Sequence, residues 1–264
     1  MKELKMIVCA KQIPDPEAPF SAVSVDTQKK IVSVDAPDVI NPYDENALEA
    51  AIRLKETIGG FITVISVGAS LSDTVLRKAI AAGADELILV EDPAFQDIDS
   101  NGTAYVLKKT IEKIASYDLI LTGRQAGDWD SGQVGLILAE LLGLPCVSMA
   151  AKIELQDSHL LVERVVPIGT ELVKTPLPSL VTVSNEVGEL RYVSRSKILA
   201  MLKKRIPMKK MSAKDLGLET EKVSKLELVE LQPPPDMRRQ CVFIEGVNLE
   251  EKAQKLAQII KDSI

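Results

Sequence analysis

The segment TGRQAGDWDSGQVG, Thr122 to Gly135, gathers four glycines, two aspartates, one arginine and the chain's only tryptophan between an apolar run and a helical one. A glycine-rich turn from strand to helix is a common seat for phosphate, because unpaired backbone N–H groups point out of a helix start. Here Gly123 lets the backbone turn, and Gly127 and Gly132 permit close approach. Asp130 or Ser131 is expected to cap the helix that follows. Arg124 has the fork geometry to pair with a phosphate. Neither G-x-x-x-x-G-K-[ST] nor a clean G-x-G-x-x-G is present, so the standard ATP-hydrolysis and dinucleotide fingerprints are missing. On chemistry alone two readings stay open: nucleotide binding, or a turn and a helix cap with no ligand.

Three further stretches have small or polar residues where strands give way to helices. VCAKQIPDP follows the first apolar run; small Cys9 and Ala10 would let a nucleotide approach the backbone, or the stretch is a strand end with a solvated lysine, Lys11. VINPYDEN sets Asn41 and Pro42 at a helix start, where Pro is favoured in the first helical position. Val67-Gly68-Ala69-Ser70 is a tight turn that either cradles a ligand or packs closely. Other chemistries fall away. The single histidine, His159, sits in a hairpin-like QDSHLLV and leaves no basis for a histidine triad or zinc site. No acid, base and nucleophile are arranged for bond-making chemistry.

The elements that must hold these stretches follow from periodicity. LKMIVCA, FITVISV, ELILVE and YDLILTG read as buried strands, with amphipathic helices between them. Helix signals are Asn41-Pro42 and Gly59-Gly60 for the first, Ser70 or Ser72 and Gly83 for the second, Asp99 or Ser100 for the third, and Gly143 with Pro145 ending the fourth. Alternating strands and helices imply right-handed crossovers and an α/β doubly wound parallel sheet, whose ligands bind at the strands' carboxyl ends. Residues Ala22 to Pro37 alternate around DTQKK and read as an added β-hairpin. After residue 146 the pattern reads as antiparallel strands, then a helix at Ser196–Lys204. Pro233 to Pro235 mark a linker to an amphipathic helical arm capped by Asn248. We therefore expect an α/β domain over residues 1–232 and a C-terminal arm over 233–264 that packs on a partner.

Composition bounds the function. The 264 residues are 46% hydrophobic but only 3% aromatic, so aliphatic side chains must fill the core. A net charge of −6 argues against a nucleic-acid binder. No apolar stretch nears the roughly 20 residues needed to span a bilayer, and no signal peptide is visible. Three dispersed cysteines fit a reduced, cytoplasmic setting with buried thiols.

Taken together, V-x-x-K-Q-x-P-D, NPYDENALEAA and GRQAGDWDSGQVG at this spacing resemble the β subunit of electron-transferring flavoproteins. The run from Val162 to Lys204 falls where that family carries its signature, and KKMSAKDLG is similar too. The resemblance implies an adenine nucleotide α-hydrolase-like fold without hydrolase activity, and a heterodimer with an α subunit carrying a redox FAD. It implies an AMP in the β-subunit site, or, in electron-bifurcating members, a second FAD that exchanges electrons with NADH. Carried over by motif, the nucleotide contacts are Cys9, Asn41, Pro42, Tyr43, Asp44, Val67, Gly123, Arg124, Gln125, Ala126, Gly127, Asp128, Trp129, Asp130, Ser131, Gly132, Gln133 and Val134. Helix-terminus partial charge would then attract the phosphates, with Asp128 and Asp130 turned away, capping N–H groups or taking ribose hydroxyls.

The resemblance also implies docking of an acyl-CoA dehydrogenase-type partner through Tyr192, Val193, Ser194, Arg195, Ser196, Lys197 and Ile198. Three departures bear on this. Arg195 stands where aerobic-type members present leucine, VVPIGTE replaces an acidic-Gly-Gly run, and Pro16 replaces a tyrosine near the α-subunit flavin. NPYDENALEAA and the arm look more like anaerobic bacterial members. A stand-alone adenine-nucleotide sensor of the same fold remains the alternative from another class.

Overall fold

A computed structural model describes residues 3–196, 207–218, 224–233 and 241–262. Its frame is a nine-stranded sheet. The strands and helices are β1 (Leu4–Cys9), β2 (Gln12–Pro14), β3 (Val23–Asp26), β4 (Ile31–Val34), β5 (Asp38–Ile40), α1 (Pro42–Ile58), β6 (Gly60–Gly68), α2 (Asp73–Ala82), β7 (Glu86–Glu91), α3 (Ser100–Ile111), β8 (Leu119–Gly123) and α4 (Val134–Leu142). After them come β9 (Cys146–Gln156), β10 (His159–Val166), β11 (Gly169–Pro176), β12 (Ser179–Val183), β13 (Met208–Met211) and α5 (Leu249–Asp262).

The sheet order is β11-β10-β9-β12-β8-β1-β6-β7-β13. Chain order explains where a crevice must open. From β1 the chain winds outward through β6 to β7, then returns to lay β8 on the other side of β1. Strand order therefore reverses between β1 and β8, whose carboxyl ends are Cys9 and Gly123. Leu119, Ile120 and Leu121 of β8 are fully buried, as the continuous apolar run required of a strand covered on both faces.

Helices cover both faces. On one, Ala47, Leu48 and Ala51 of α1 and Leu76 and Ala79 of α2 pack with Val8, Val64 and Leu121. On the other, Ala104 and Leu107 of α3 and Leu138 and Ala139 of α4 pack with Ile7, Ile65 and Ile120. Alternate residues of each strand thus serve opposite cores. Truncating a fully buried Leu48 or Leu76 to alanine costs about 2–5 kcal/mol.

Several expectations hold in detail. Ser72, Asp99 and Asn248 accept the capping N–H bonds of α2, α3 and α5, and Gly59 and Gly83 close α1 and α2. The hairpin is β3–β4, and His159 opens β10 at a hairpin tip opposite Gln156.

Others are corrected. The strands after residue 146 are not all antiparallel: β9–β10–β11 are, but β12 inserts between β8 and β9 and runs parallel to both. Its all-buried SLVTV pattern is that of a central parallel strand. KKMSAKDLG contributes a further parallel strand, β13, beside β7. Cys9 is buried, but Cys146 and Cys241 are exposed, so buried packing does not account for all three thiols. Of the helix expected at Ser196–Lys204, residues 197–204 lie outside the described residues, as do the prolines Pro234 and Pro235 and the basic cluster Lys203-Lys204-Arg205. No described helix is long and apolar enough to cross a membrane.

Candidate functional site at the carboxyl ends of the parallel strands

The loop from β8 to α4 is folded by two side chains from the start of α1. Asp44, in the helix's first turn, accepts the Lys11 N–H with Oδ2 and the Gly123 N–H with Oδ1, both at 2.8 Å. One carboxylate thereby ties together the chain leaving β1 and the chain leaving β8. Asn41 stands at the N-cap of α1, but its side chain makes no capping bond to the helix. Its Nδ2 donates to the Gln125 carbonyl at 2.8 Å and its Oδ1 accepts the Gly127 N–H at 3.1 Å. Asn41 is almost wholly buried, so this exchange satisfies backbone groups that water cannot reach.

Burial pushes the Asp44 carboxyl up to about 6, although hydrogen bonds from Lys11, Asn41 and Gly123 and the Lys11 charge pull it down. Burial likewise holds the Cys9 thiol far above its ordinary range, with the Asp44 charge adding to the effect. Burial thus favours the thiol form of Cys9 at the carboxyl end of β1, where it packs in the core beside Ile7 and Ile65.

The acids of the loop bind their own chain. Asp128 forms an ion pair with Lys11 and accepts the Trp129 N–H at 3.0 Å. Asp130, at φ +50°, accepts Gln125 Nε2 at 2.7 Å. Neither caps the helix: α4 begins at Val134 after Gln133, later than Asp130 or Ser131 would place it, and no side chain caps it. Ser131 turns aside to Ser100 at the head of α3, Oγ to Oγ 3.2 Å. Among the described residues, the leading N–H groups of α4 have no side-chain acceptor.

Two glycines of this loop sit where a side chain is disfavoured, Gly123 by crowding and Gly132 by backbone conformation. A Cβ on Gly123 would stand 2.6 Å from Asp44 Oδ1 and 2.7 Å from the Tyr43 backbone. Gly132 has φ +62°, the left-handed region, with the Arg124 carbonyl 3.5 Å from where a Cβ would lie. Arg124 lies over the Tyr43 ring, 4.7 Å to its centre, and donates Nη2 to the Tyr43 hydroxyl at 3.2 Å. Its buried Nε has no partner among the described residues, and neither has the buried Thr122 Oγ1. Two unpaired polar atoms beside an uncapped helix start are the donor set expected of an anion site, and they fit a phosphate-bearing ligand. Trp129 is 62% exposed and available as a stacking surface at the loop's tip.

The expected nucleotide residues therefore converge. Asn41, Asp44 and Gly123 to Gly127 are joined by the bonds above, Pro42 opens α1, and Cys9 ends the strand beside β8. Val67 is one residue short of the end of β6, on the other side of β1. The expected docking residues lie apart. Tyr192 is 89% exposed, Val193 is buried, and the Ser194 and Ser196 hydroxyls meet at 3.1 Å. Lys197 and Ile198 lie outside the described residues. Two cavities, of about 490 Å3 between α1 and β9 and about 650 Å3 near Lys5 and Lys209, do not touch the β8–α4 loop.

Sequence reading missed the side chains that grip segment 187–191. Asn46, Glu49, Arg53 and Glu56 recur at helical spacing on α1, and all four bond to that segment. A polar stripe at i, i+3, i+7 and i+10 on a helix whose middle turns are otherwise apolar and buried is the signal that could have found them.

The electron transfer flavoprotein domain model matches residues 28–216. The electron transfer flavoprotein subunit beta of Thermoanaerobacterium thermosaccharolyticum is 36% identical over 260 residues, covering 97% of each chain. That of Clostridium acetobutylicum is 37% identical over 206 residues, 78% of each chain. The caffeyl-CoA reductase-Etf complex subunit CarD of Acetobacterium woodii is 34% identical over 220 residues, 83% of this chain and 82% of that one. With the parallel frame and the β8–α4 loop in place, the match over nearly the whole length is decisive: the chain belongs to the electron transfer flavoprotein family, among its β subunits.

Proposed function

We propose that the crevice between the ends of β1 and β8 holds an adenine nucleotide while the chain works as the β half of a heterodimer with an α subunit. The nucleotide is AMP, or a second FAD. The observation that carries this reading is the uncapped start of α4, presented by a loop that Asn41 and Asp44 fold into place. Backbone N–H groups, with the helix's positive end, supply the attraction for phosphate, which accounts for an anion site whose carboxylates are occupied elsewhere. Arg124, held flat on Tyr43, is a fixed donor wall. The redox FAD shared with or bound by the α subunit supplies the electron-carrying chemistry, and no side chain of this protein need react. In this role the complex passes electrons, in the cytoplasm, between an acyl-CoA dehydrogenase-type partner and a second redox protein.

Coexpression with the α subunit, followed by denaturation and cofactor extraction, tests the proposal. One FAD with one AMP per heterodimer supports simple shuttling. Two FAD support the electron-bifurcating form, in which NADH is the donor. A purified heterodimer holding no adenine nucleotide beyond the α-subunit flavin would sink the assignment of the β8–α4 loop.

A further inference from the structure

Segment 187–191 crosses α1 just before the exposed Tyr192. It is held there by one stripe of the helix. Asn46 Nδ2 donates to the Gly188 carbonyl at 2.7 Å, and Arg53 Nη1 donates to the Val187 carbonyl at 2.7 Å. Glu49, only 3% exposed, is the hub. It accepts Arg53 Nε at 2.9 Å and, at 3.1 Å each, the Arg191 backbone N–H, Nε and Nη2. Glu56 takes the other side of the same guanidinium, Nη2 at 3.0 Å and Nη1 in a shorter contact. One planar fork thus spans two carboxylates that lie about two turns apart on one face of α1. That geometry needs arginine and cannot be copied by a point charge. On the far side of Tyr192, buried Val193 gives a second anchor. Tyr192 itself is left 89% exposed between the two.

This arrangement is more than a surface ion pair. Glu49 has lost its water, and its carboxyl stays ionised because bonds from Arg191 and Arg53 outweigh the effect of burial. A segment fixed at both ends presents its exposed side chain in one position, and a preorganised surface loses less freedom on association.

We propose that Arg191, clamped by Glu49 and Glu56, is a positioning residue that fixes the partner-docking loop opened by Tyr192. The inference rests on reading the described residues Tyr192 to Ser196 of the expected docking stretch as partner contacts. Arg191 acts through the loop and touches neither nucleotide nor flavin.

The test uses the complete heterodimer with an acyl-CoA dehydrogenase that the wild-type complex turns over. The variants are Arg191→Gln, Arg191→Lys, Glu56→Gln and Tyr192→Ala. Arg191→Gln should raise KM for the dehydrogenase about tenfold while kcat stays within about twofold, since only binding of the partner is weakened. Arg191→Lys should recover part of the loss. Glu56→Gln, which leaves buried Glu49 paired with both arginines, guards against misfolding and should raise KM about threefold. Nucleotide content should match wild type throughout. If Tyr192→Ala raises KM but Arg191→Gln and Glu56→Gln do not, the clamp is overturned and the docking loop stands. If Tyr192→Ala also leaves KM unchanged, the docking reading fails and takes this inference with it. A KM rise accompanied by nucleotide loss in both clamp variants overturns it as well, because the clamp would then be holding the fold at large.

Discussion

Asp44 Oδ1 accepts the Gly123 N–H at 2.8 Å, joining the first turn of α1 to the last residue of β8. The other oxygen takes the Lys11 N–H, so a single carboxylate fixes both lips of the crevice. The ionised form serves both donors; a protonated oxygen loses acceptor capacity towards one of them.

This relationship has a pH signature. The Asp44 carboxyl is held at about 6, above the ordinary 3.8, chiefly by burial. Between those values the folded chain keeps a proton that the unfolded chain has released. Asp44 therefore weakens the fold as pH rises through the window, by on the order of 3 kcal/mol, and adds no further change above it. Denaturant unfolding of the wild type and of Asp44→Asn from pH 4 to 7 should show the wild type losing ground to the variant until about pH 6. A constant difference would refute the assignment. Nucleotide retention should move the other way and fall on acidification below about 6, as one tie is released.

Gly123→Ala should be poorly tolerated. Its Cβ would press on Asp44 Oδ1 and on the Tyr43 backbone and Cβ at 2.6–2.7 Å, and a backbone neighbour cannot swing aside. We expect a loss of about 1–3 kcal/mol in unfolding free energy and parallel loss of nucleotide by chromatography of the denatured complex. Unchanged stability would show that α1 shifts freely against β8.

Gly132→Leu separates ligand from fold. The space around its Cβ is open except for the Arg124 carbonyl at 3.5 Å, so the stability cost should be only the left-handed strain, about 1–2 kcal/mol. The side chain would nonetheless stand at the mouth of the uncapped helix. Nucleotide retention should drop sharply while the fold persists, and full retention would place the phosphates elsewhere.

Removal of residues 241–264 should leave the sheet intact and abolish pairing with the α subunit. None of the described residues of α5 is buried, while Leu249, Leu256, Ile259 and Ile260 are exposed. Gel filtration of the truncated chain with and without the α subunit checks this; a stable heterodimer lacking the arm would rule out its proposed role.

Much of the parallel frame was legible because buried strands and amphipathic helices each carry their own period. The β8–α4 loop was legible as a ligand turn from its glycines. What the side chains do inside it was not. Asn41, a good capping residue by type, spends its amide on Gln125 and Gly127, about 85 positions away in sequence, and local signals carry no information on such partners. Asp130 and Ser131 look like caps but are drawn off by Gln125 and Ser100. For β12 the difficulty was pairing: SLVTV names a buried strand, while its insertion beside β8 depends on contacts with residues 119–123.

The unburied α5 also bears on how the cell counts its subunits. A 14-residue helix gains little stability from its own backbone in water, and none of its residues is buried among the described residues. If the α subunit covers the arm, a chain made in excess of its partner would display that segment to proteases and quality-control factors, and a paired one would not. The arm would thereby convert assembly into survival, holding the level of this chain to that of the subunit it joins.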